Sequence, residues 1–369
     1  MIYKLFANCY PIKGFFRSSI LDVQNNTFDI IPNILFTFLQ NRGVINTEKL
    51  IKKYGEHNSK IIAEYIDYLI EKNFIFECDY DELKCFSDIN LAFSKPYQIQ
   101  NSIIELNSNI ENLKKHIQEL INLNCPHIEI RFYEKVSFET LLKVVSCTEN
   151  SLLRSIEIIL PYNENYSENK IKQLCIDNLR INKLIFTSSP NDKILNDDNI
   201  ARTIIFIKQK ISSNNDCGFI SPINFSCNLL MLSESQHYNT CLNRKICIDA
   251  EGNIKNCPAM TKSFGNIADT TMEDAINKPG FKDLWGFRKD DIDVCKDCEF
   301  RYMCSDCRCF IKNPQDIYSQ PAKCCYNPYI AKWQGEEGYI TVEQWRVQNP
   351  KWETKAKRKP LVKVPIKVE

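Results

Sequence analysis

The first ninety residues combine one strand-like pattern with three helix-like patterns. Residues 17–31 alternate apolar and polar positions around Gln24-Asn25-Asn26-Thr27, which predicts a β-hairpin because Asn tolerates the left-handed conformation of a tight turn. Three short helices are expected next, from Pro32 towards Gly43, from Asn46 or Thr47 to Gly55, and from Ser59 onward with Ile62, Ile66, Leu69 and Ile70 on one face. Residues 74–76 then return as a strand. The pattern predicts a winged-helix-like unit over residues 1–90.

Strand and helix patterns alternate between residues 95 and 211. The expected strands are 98–106, 127–133, 155–161, 183–188 and 202–208, and the expected helices are 110–123, 138–145 and 169–178. Repeated β-α units predict a parallel sheet or a degenerate partial (β/α) barrel over residues 91–235. Enzymes of this class place their sites after the strand carboxyl ends. No glycine occurs between Gly55 and Gly218, so a glycine-built phosphate or dinucleotide loop is not expected there.

Charge and hydropathy narrow the possible partners. The 369 residues include 47 basic and 46 acidic side chains, which leaves no excess charge to attract nucleic acid. The third helix carries Glu64, Asp67 and Glu71, a poor match to phosphates. The basic tail, 351–369, is interpreted as a solvated end of the extension 336–369. The sequence starts with no signal-peptide pattern and has no long apolar run, so a cytoplasmic protein without a membrane contact is expected.

Ten of the eighteen cysteines lie between Cys241 and Cys325. In a reducing compartment such density favours metal over disulfides. A hairpin turning near Gly252 would bring Cys247 and Cys257 to neighbouring points. A second group follows about forty residues later as Cys295-x2-Cys298-x5-Cys304-x2-Cys307. The two groups predict two metal centres, and thiolate sets of this kind suit zinc as well as iron-sulfur.

The remaining candidates are assigned structural roles. Cys78, Cys85, Cys125, Cys147 and Cys175 are too scattered to share a metal, and we interpret them as buried small hydrophobic residues. His116 and His127 lie on different elements without an obvious carboxylate partner, so neither is expected to be catalytic. No Ser-His-Asp or Cys-His arrangement stands out, and no catalytic residue is predicted.

The cysteine pattern resembles the SPASM domain of radical S-adenosylmethionine peptide maturases, here over residues 236–335. Its signature agrees at Cys241, at Gly252 before Cys257, and along Cys295-x2-Cys298-x5-Cys304; the next spacing is two where the family has three. Cys307 is therefore the equivalent, with Cys309 as a rival. The resemblance implies two 4Fe-4S clusters with the ligands Cys241, Cys247, Cys257 and Cys307 for one, and Cys295, Cys298, Cys304 and Cys324 for the other. Cys325 could replace Cys324.

Radical maturases also carry Cys-x3-Cys-x2-Cys after the first barrel strand and Gly-Gly-Glu after the second. Here Leu-Asn-Ser-Asn-Ile-Glu follows Glu105, and Phe-Tyr-Glu-Lys-Val-Ser follows Arg131. In those maturases, three thiolates leave one iron of the cluster open for the cofactor. Because both motifs are missing here, no S-adenosylmethionine site and no reductive cleavage are expected.

The whole chain resembles the grasp-with-spasm maturation proteins. The segments 5–14 and 323–329 look like that family, and residues 1–90 resemble precursor-peptide recognition elements, which capture a leader peptide as an added strand. The resemblance implies a precursor peptide and an ATP-grasp ligase as partners, with clusters that are mainly structural. Three alternatives stay open: a winged helix used only for packing, an enzyme using its auxiliary clusters in redox or substrate ligation, and a zinc-stabilised peptide-binding module.

Overall fold

The structure is a computed structural model, and it describes residues 1–40, 43–107, 110–195 and 203–352. Arg202 and most of the basic tail, residues 353–369, lie outside the described residues. Seven short 3-10 helices occur within them, at Glu56–Asn58, Glu82–Cys85, Asn214–Asp216, Pro222–Asn224, Lys289–Asp291, Cys295–Asp297 and Pro350–Trp352.

Two small antiparallel sheets and three helices form the N-terminal part. The elements are β1 Ile2–Leu5, β2 Cys9–Ile12, β3 Ser18–Asp22, β4 Thr27–Ile31, α1 Asn33–Leu39, β5 Val44–Asn46, α2 Thr47–Tyr54, α3 Ser59–Glu71 and β6 Ile75–Glu77. The first sheet has the order β5-β1-β6 and the second β2-β3-β4. Strands β1, β2 and β5 were not foreseen, because each has only three or four residues. In addition, β1 and β5 pair with each other across the intervening β2, β3, β4 and α1.

The predicted hairpin and helices are confirmed here. Strands β3 and β4 pair from Ser18 opposite Ile31 to Asp22 opposite Thr27. Pro32 precedes α1, the Asn46 side chain accepts a hydrogen bond from the backbone of Lys49 at 2.9 Å, and Gly55 ends α2. Of the residues predicted on one face of α3, Ile62, Ile66 and Leu69 are buried, whereas the side chain of Ile70 is exposed. Eight residues at 100° each place it about 80° around the helix from Ile62.

A large sheet forms the middle of the molecule. Its elements are β7 Asn101–Leu106, α4 Leu113–Asn122, β8 His127–Phe132, α5 Phe138–Ser146, β9 Ser155–Pro161, α6 Glu168–Asp177, β10 Ile181–Thr187, β11 Lys193–Leu195 and β12 Thr203–Phe206. Neighbouring strands in the order β7-β8-β9-β10-β12 are parallel, as the β-α pattern predicts, and β11 adds antiparallel to β12. The core lies between this sheet and helices α4 to α6.

The cysteine-rich part begins by extending that same sheet. Its elements are α7 Leu229–Ser235, β13 Lys245–Ile248, β14 Ile254–Lys255, α8 Met272–Asn277, β15 Tyr326–Asn327, β16 Lys332–Trp333 and α9 Val342–Gln348. Strand β13 pairs in parallel with β7, so that Cys247 lies opposite Ile103, and β14 pairs antiparallel with β13. The predicted hairpin around Gly252 is therefore the last ribbon of an eight-stranded sheet. This placement fixes Cys247 beside the parallel strands.

The second N-terminal sheet, β2-β3-β4, packs directly on the cysteine-rich part. A shared apolar core joins Ile12 and Leu21 to Phe300 and Met303. Glu299 is completely buried, and its carboxylate accepts a hydrogen bond from Arg17 at 2.7 Å, while its carbonyl accepts one from Ser19 at 2.8 Å. None of the described helices combines the length and apolar character needed to cross a bilayer.

Candidate metal centres

Four of the predicted ligands surround one small cavity, and we call them the second thiol centre: Cys295, Cys298, Cys304 and Cys324. The 3-10 turn Cys295–Asp297 brings the first two together, since the amide of Cys298 donates to the carbonyl of Cys295 at 3.0 Å. Aromatic side chains complete the cavity wall, namely Phe225, Phe300, Tyr326 and Trp333. The thiols are thus held in an apolar enclosure that limits access of water.

A buried lysine faces the second thiol centre. Lys289 is 3% exposed, and its Nζ donates to the sulfur of Cys304 at 3.5 Å and reaches that of Cys295 at 4.0 Å. Burial alone would lower the pKa of Lys289, but negative charge on Cys295 and Cys304 outweighs this and raises it. Burial raises the pKa of the Cys295 thiol to about 12 even though Lys289 opposes the shift. Burial therefore keeps the Cys295 thiol protonated unless a positive charge, such as a bound metal, stabilises its thiolate.

We call the other four predicted ligands the first thiol centre: Cys241, Cys247, Cys257 and Cys307. Negative charges within this set raise the pKa values of its members. After burial, a charge on Cys257 is the largest influence that raises the pKa of Cys247, and charges on Cys241 and Cys257 both raise the pKa of Cys307, which reaches about 11. Strands β13 and β14 account for two of these positions, because Cys247 lies on β13 opposite Lys255, two residues before Cys257.

The first thiol centre has its own lysine. Lys245 lies on β13, two residues before Cys247, and its Nζ donates to the sulfur of Cys241 at 3.7 Å. Burial would lower its pKa, but charges on Cys241, Cys247 and Cys257 raise it. Sequence reasoning missed both lysines, because neither belongs to a spacing pattern.

Asp306 lies between the two thiol centres. Its completely buried carboxylate accepts hydrogen bonds from Arg308 at 2.6 Å and Asn239 at 2.7 Å, and it lies 3.9 Å from Lys289. Its charge raises the pKa of Cys241 in the first centre and of Cys295 and Cys304 in the second. The two centres consequently share one buried polar network.

The structure also places the rival cysteines. Cys309 joins the first centre, since it is hydrogen-bonded to Cys257 and donates to the carbonyl of Ala259 at 3.0 Å. Cys324 lines the cavity of the second centre, whereas Cys325 is not part of its wall. Which member of each pair binds metal stays a prediction.

A sixth thiol approaches the first centre without any signal in the sequence. Cys217 lies 24 positions before Cys241, outside every spacing that indicated metal, yet negative charge on it raises the pKa of both Cys241 and Cys309.

Of the scattered cysteines, Cys78, Cys125 and Cys175 are buried as expected. Cys85 is exposed in a 3-10 turn on the surface, so the expectation of burial is wrong for this residue. Cys147 is half-buried.

The arrangement of the thiols bears on which metal they fit. Within residues 1–40, 43–107, 110–195 and 203–352, no three His, Cys, Asp or Glu side chains are placed to share one metal ion. Around a single zinc ion, Zn–S bonds of about 2.3 Å put tetrahedral sulfurs only about 3.8 Å apart. A 4Fe-4S cluster instead gives each thiolate its own iron. The four thiols around the cavity of the second centre are a donor set that fits such a cluster.

The sheet carries a second polar region that sequence reasoning treated as chemically bare. At the carboxyl end of β7, Glu105 is buried and accepts a hydrogen bond from the Tyr133 hydroxyl; burial and then Asp249 raise its pKa. His116 on α4 is 6% exposed, and neither ring nitrogen has a hydrogen-bond partner. Both residues line a cleft beside Gly252.

Comparison with known proteins supports the iron-sulfur interpretation of the cysteine-rich part. Residues 240–299 match SPASM, an iron-sulfur cluster-binding domain. This segment contains Cys241, Cys247, Cys257, Cys295 and Cys298, and the match supports a protein with a SPASM domain. Comparison with curated proteins gave no significant match.

Two solved structures are similar in outline, both of SuiB from Streptococcus suis. One is bound to the precursor peptide SuiA, with 10% identity and a TM-score of 0.28. The other is bound to S-adenosylmethionine, with 10% identity and a TM-score of 0.29. In each case the alignment covers 83% of this chain and 96% of SuiB. A TM-score this low supports no argument about the chemistry of this chain.

Proposed function

We propose that this chain is a maturation partner for a ribosomally made peptide. It binds the leader segment of a precursor peptide and presents that peptide to an ATP-grasp ligase, while two 4Fe-4S clusters hold the C-terminal part rigid. In this proposal the ligase forms the new bond, and the chain itself performs no radical chemistry. The proposal rests on the family resemblance of the sequence and on one structural observation, the free edge of β4.

Strand β4 is an open edge flanked by a helix. In the described part of the chain it pairs with β3 alone. The end of α3 lies alongside it, since Lys72 Nζ is 3.3 Å from the Asp29 carboxylate and the charge on Asp29 raises the pKa of Tyr68 after burial. An edge strand offers unpaired backbone groups to an extended peptide, and the adjacent helix contacts its side chains. This is the geometry that leader capture requires.

The opposite edge of the same sheet is less suitable. Strand β2 contains Pro11, which has no backbone N–H to donate. The groove beside it is lined by Asp88, Ile89 and Leu91 from the connection to the large sheet. Of the two edges, β4 is therefore the one we assign to the peptide.

The clusters would act on the peptide site through packing. The second thiol centre shares Phe300 and Tyr326 with the core that supports β3 and β4. When metal is bound, it cross-links four points of a segment with little regular secondary structure, and such binding contributes directly to folding. Cys295, Cys298, Cys304 and Cys324 would hold one cluster, and Cys241, Cys247, Cys257 and Cys307 the other.

Hydrogen exchange tests the peptide site without altering the protein. The probes are synthetic leader segments of short peptides encoded beside the gene of this protein, added to metal-loaded full-length chain. We expect slower amide exchange in residues 27–31 and 68–72 with unchanged exchange in β2, because backbone pairing protects amides of the strand that is extended. Protection confined to β2 or to the large sheet would overturn the assignment of the site.

A second measurement addresses the ligase. The ligase encoded nearby is incubated with ATP and the precursor peptide, with and without this chain, and the peptide mass is followed. Activation of a carboxylate and condensation with a hydroxyl or amine removes one water, so the product is lighter by one water per bond. The proposal expects faster product formation with the chain present. Equal rates with and without it would contradict the presenting role.

A further inference from the structure

We infer that Cys217 supplies a ligand to the first thiol centre, next to Cys241 and Cys307. The inference rests on the metal content proposed above and assigns a ligand that the spacing of the cysteines does not reveal. A 4Fe-4S cluster takes four thiolates, and six thiols meet at this centre once Cys217 and Cys309 are included. A cluster that includes Cys217 therefore takes only three of the other five thiols, so that Cys217 replaces one of the four ligands proposed above.

The backbone that carries Cys217 lies directly on a predicted ligand. A Cβ built on Gly218 would lie 3.2 Å from the sulfur of Cys307 and 3.6 Å from its Cβ. Gly218 has a φ of +86°, a conformation that L side chains rarely adopt. The absence of a side chain and the positive φ together allow the chain to approach the Cys307 sulfur this closely.

Two contacts fix the segment in this position. Lys323 donates hydrogen bonds to the carbonyls of Asn215 and Cys217, and its ammonium lies 4.2 Å from the centre of the Phe310 ring. Lys323 directly precedes Cys324 of the second thiol centre. The loop of Cys217 is thus tied to the same segment that delivers a ligand to the other centre.

The charges around Cys217 suit a bound thiolate. Negative charge on Cys217 raises the pKa of Cys241 and of Cys309, in agreement with the close approach of Gly218 to Cys307. It also raises the pKa of Arg131 on β8, and the ammonium of Lys245 donates to the sulfur of Cys241 at 3.7 Å. By contrast, Cys227 is closer than Cys217 to Cys241 in sequence but packs in the apolar core beside Phe300. Cys227 is therefore the matched control.

The test compares Cys217→Ala with Cys227→Ala in full-length protein purified without oxygen. Iron per chain is measured, and the reduced protein is examined by electron paramagnetic resonance. We expect Cys217→Ala to lose about half of the iron or to change one of two cluster signals, while Cys227→Ala keeps both. In Cys217→Ser an oxygen ligand is expected to retain more iron than alanine and to shift the same signal.

Three outcomes separate this inference from the proposed function. Full iron with an unchanged spectrum in Cys217→Ala overturns the assignment of Cys217 and leaves the metal centres intact. Wild-type protein without metal overturns the centres themselves, and the inference with them. Loss of both signals in Cys217→Ala, with protease sensitivity throughout the chain, would indicate misfolding; an unchanged signal in Cys217→Ser would then count against the ligand role.

Discussion

The Nζ of Lys289 lies 3.5 Å from the sulfur of Cys304, with only 3% of Lys289 exposed. Lys245 stands in the same relation to Cys241 at 3.7 Å in the first thiol centre. A cluster held by four thiolates carries net negative charge, and burying it without a counter-charge is costly. Each centre therefore has one ammonium that would offset this charge, buried at Lys289 and half-buried at Lys245.

Replacing Lys289 with Met tests that role. The variant keeps the packing of the alkyl chain but removes the positive charge, so we expect weaker metal retention at the second centre and a more negative reduction potential for its cluster. Iron per chain and a redox titration measure both effects. Lys282→Met, at an exposed position, should change neither, and equal behaviour of the two variants would contradict this role of Lys289.

Substituting Arg17 tests the contact between the sheet β2-β3-β4 and the cysteine-rich part. Arg17→Ala leaves the Glu299 carboxylate buried with only Tyr326 as a side-chain donor, and we expect a loss of roughly 2–3 kcal/mol in the free energy of unfolding. Thermal melting of metal-loaded protein measures it. Adding Glu299→Gln removes the uncompensated charge and should recover part of the loss. If the double variant is no more stable than Arg17→Ala, the pairing of Arg17 with Glu299 does not contribute to the free energy of unfolding.

His116 gives a prediction about pH. Burial, and then the charge of Lys115, lower its pKa to about 4, whereas an unfolded histidine titrates near about 6.5. Between these values the unfolded chain binds more protons, so stability falls as pH falls, by about 1.4 kcal/mol per unit at most. Relative to His116→Leu, wild type should lose roughly 2 kcal/mol between pH 7 and pH 5. The exposed-site variant His57→Leu should follow wild type; identical pH dependence of wild type and His116→Leu would refute the prediction.

The parts that the sequence predicts well are those with local signals. The hairpin around Asn26, the cap at Asn46 and strand 155–161 need only neighbouring residues to be identified. Pairing of Cys247 with Ile103 joins positions 144 apart, and no local pattern specifies it. Cys217 is missed for the same reason, whereas Lys245 and Lys289 lie close in sequence to Cys241 and Cys295 but no cysteine spacing assigns a role to a lysine.

Substituting the ligands should affect folding as a whole. Cys298→Ala or Cys257→Ala removes a thiolate from a centre, and because metal binding contributes to folding we expect insoluble or protease-sensitive protein. Cys78→Ala and Cys175→Ala remove buried sulfurs outside the centres and should cost only the usual small core penalty. Limited proteolysis at equal concentration compares them, and equal tolerance of both groups would contradict a structural role for the metal.

The proposed function requires two iron-sulfur clusters held by the C-terminal thiols. Mössbauer spectroscopy together with elemental analysis of the wild-type protein, prepared without oxygen, measures both the metal and the type of cluster. Two 4Fe-4S clusters predict about eight iron atoms per chain, with the spectrum of cubane clusters. Zinc in place of iron, or thiols free of metal or oxidised to disulfides, would contradict it.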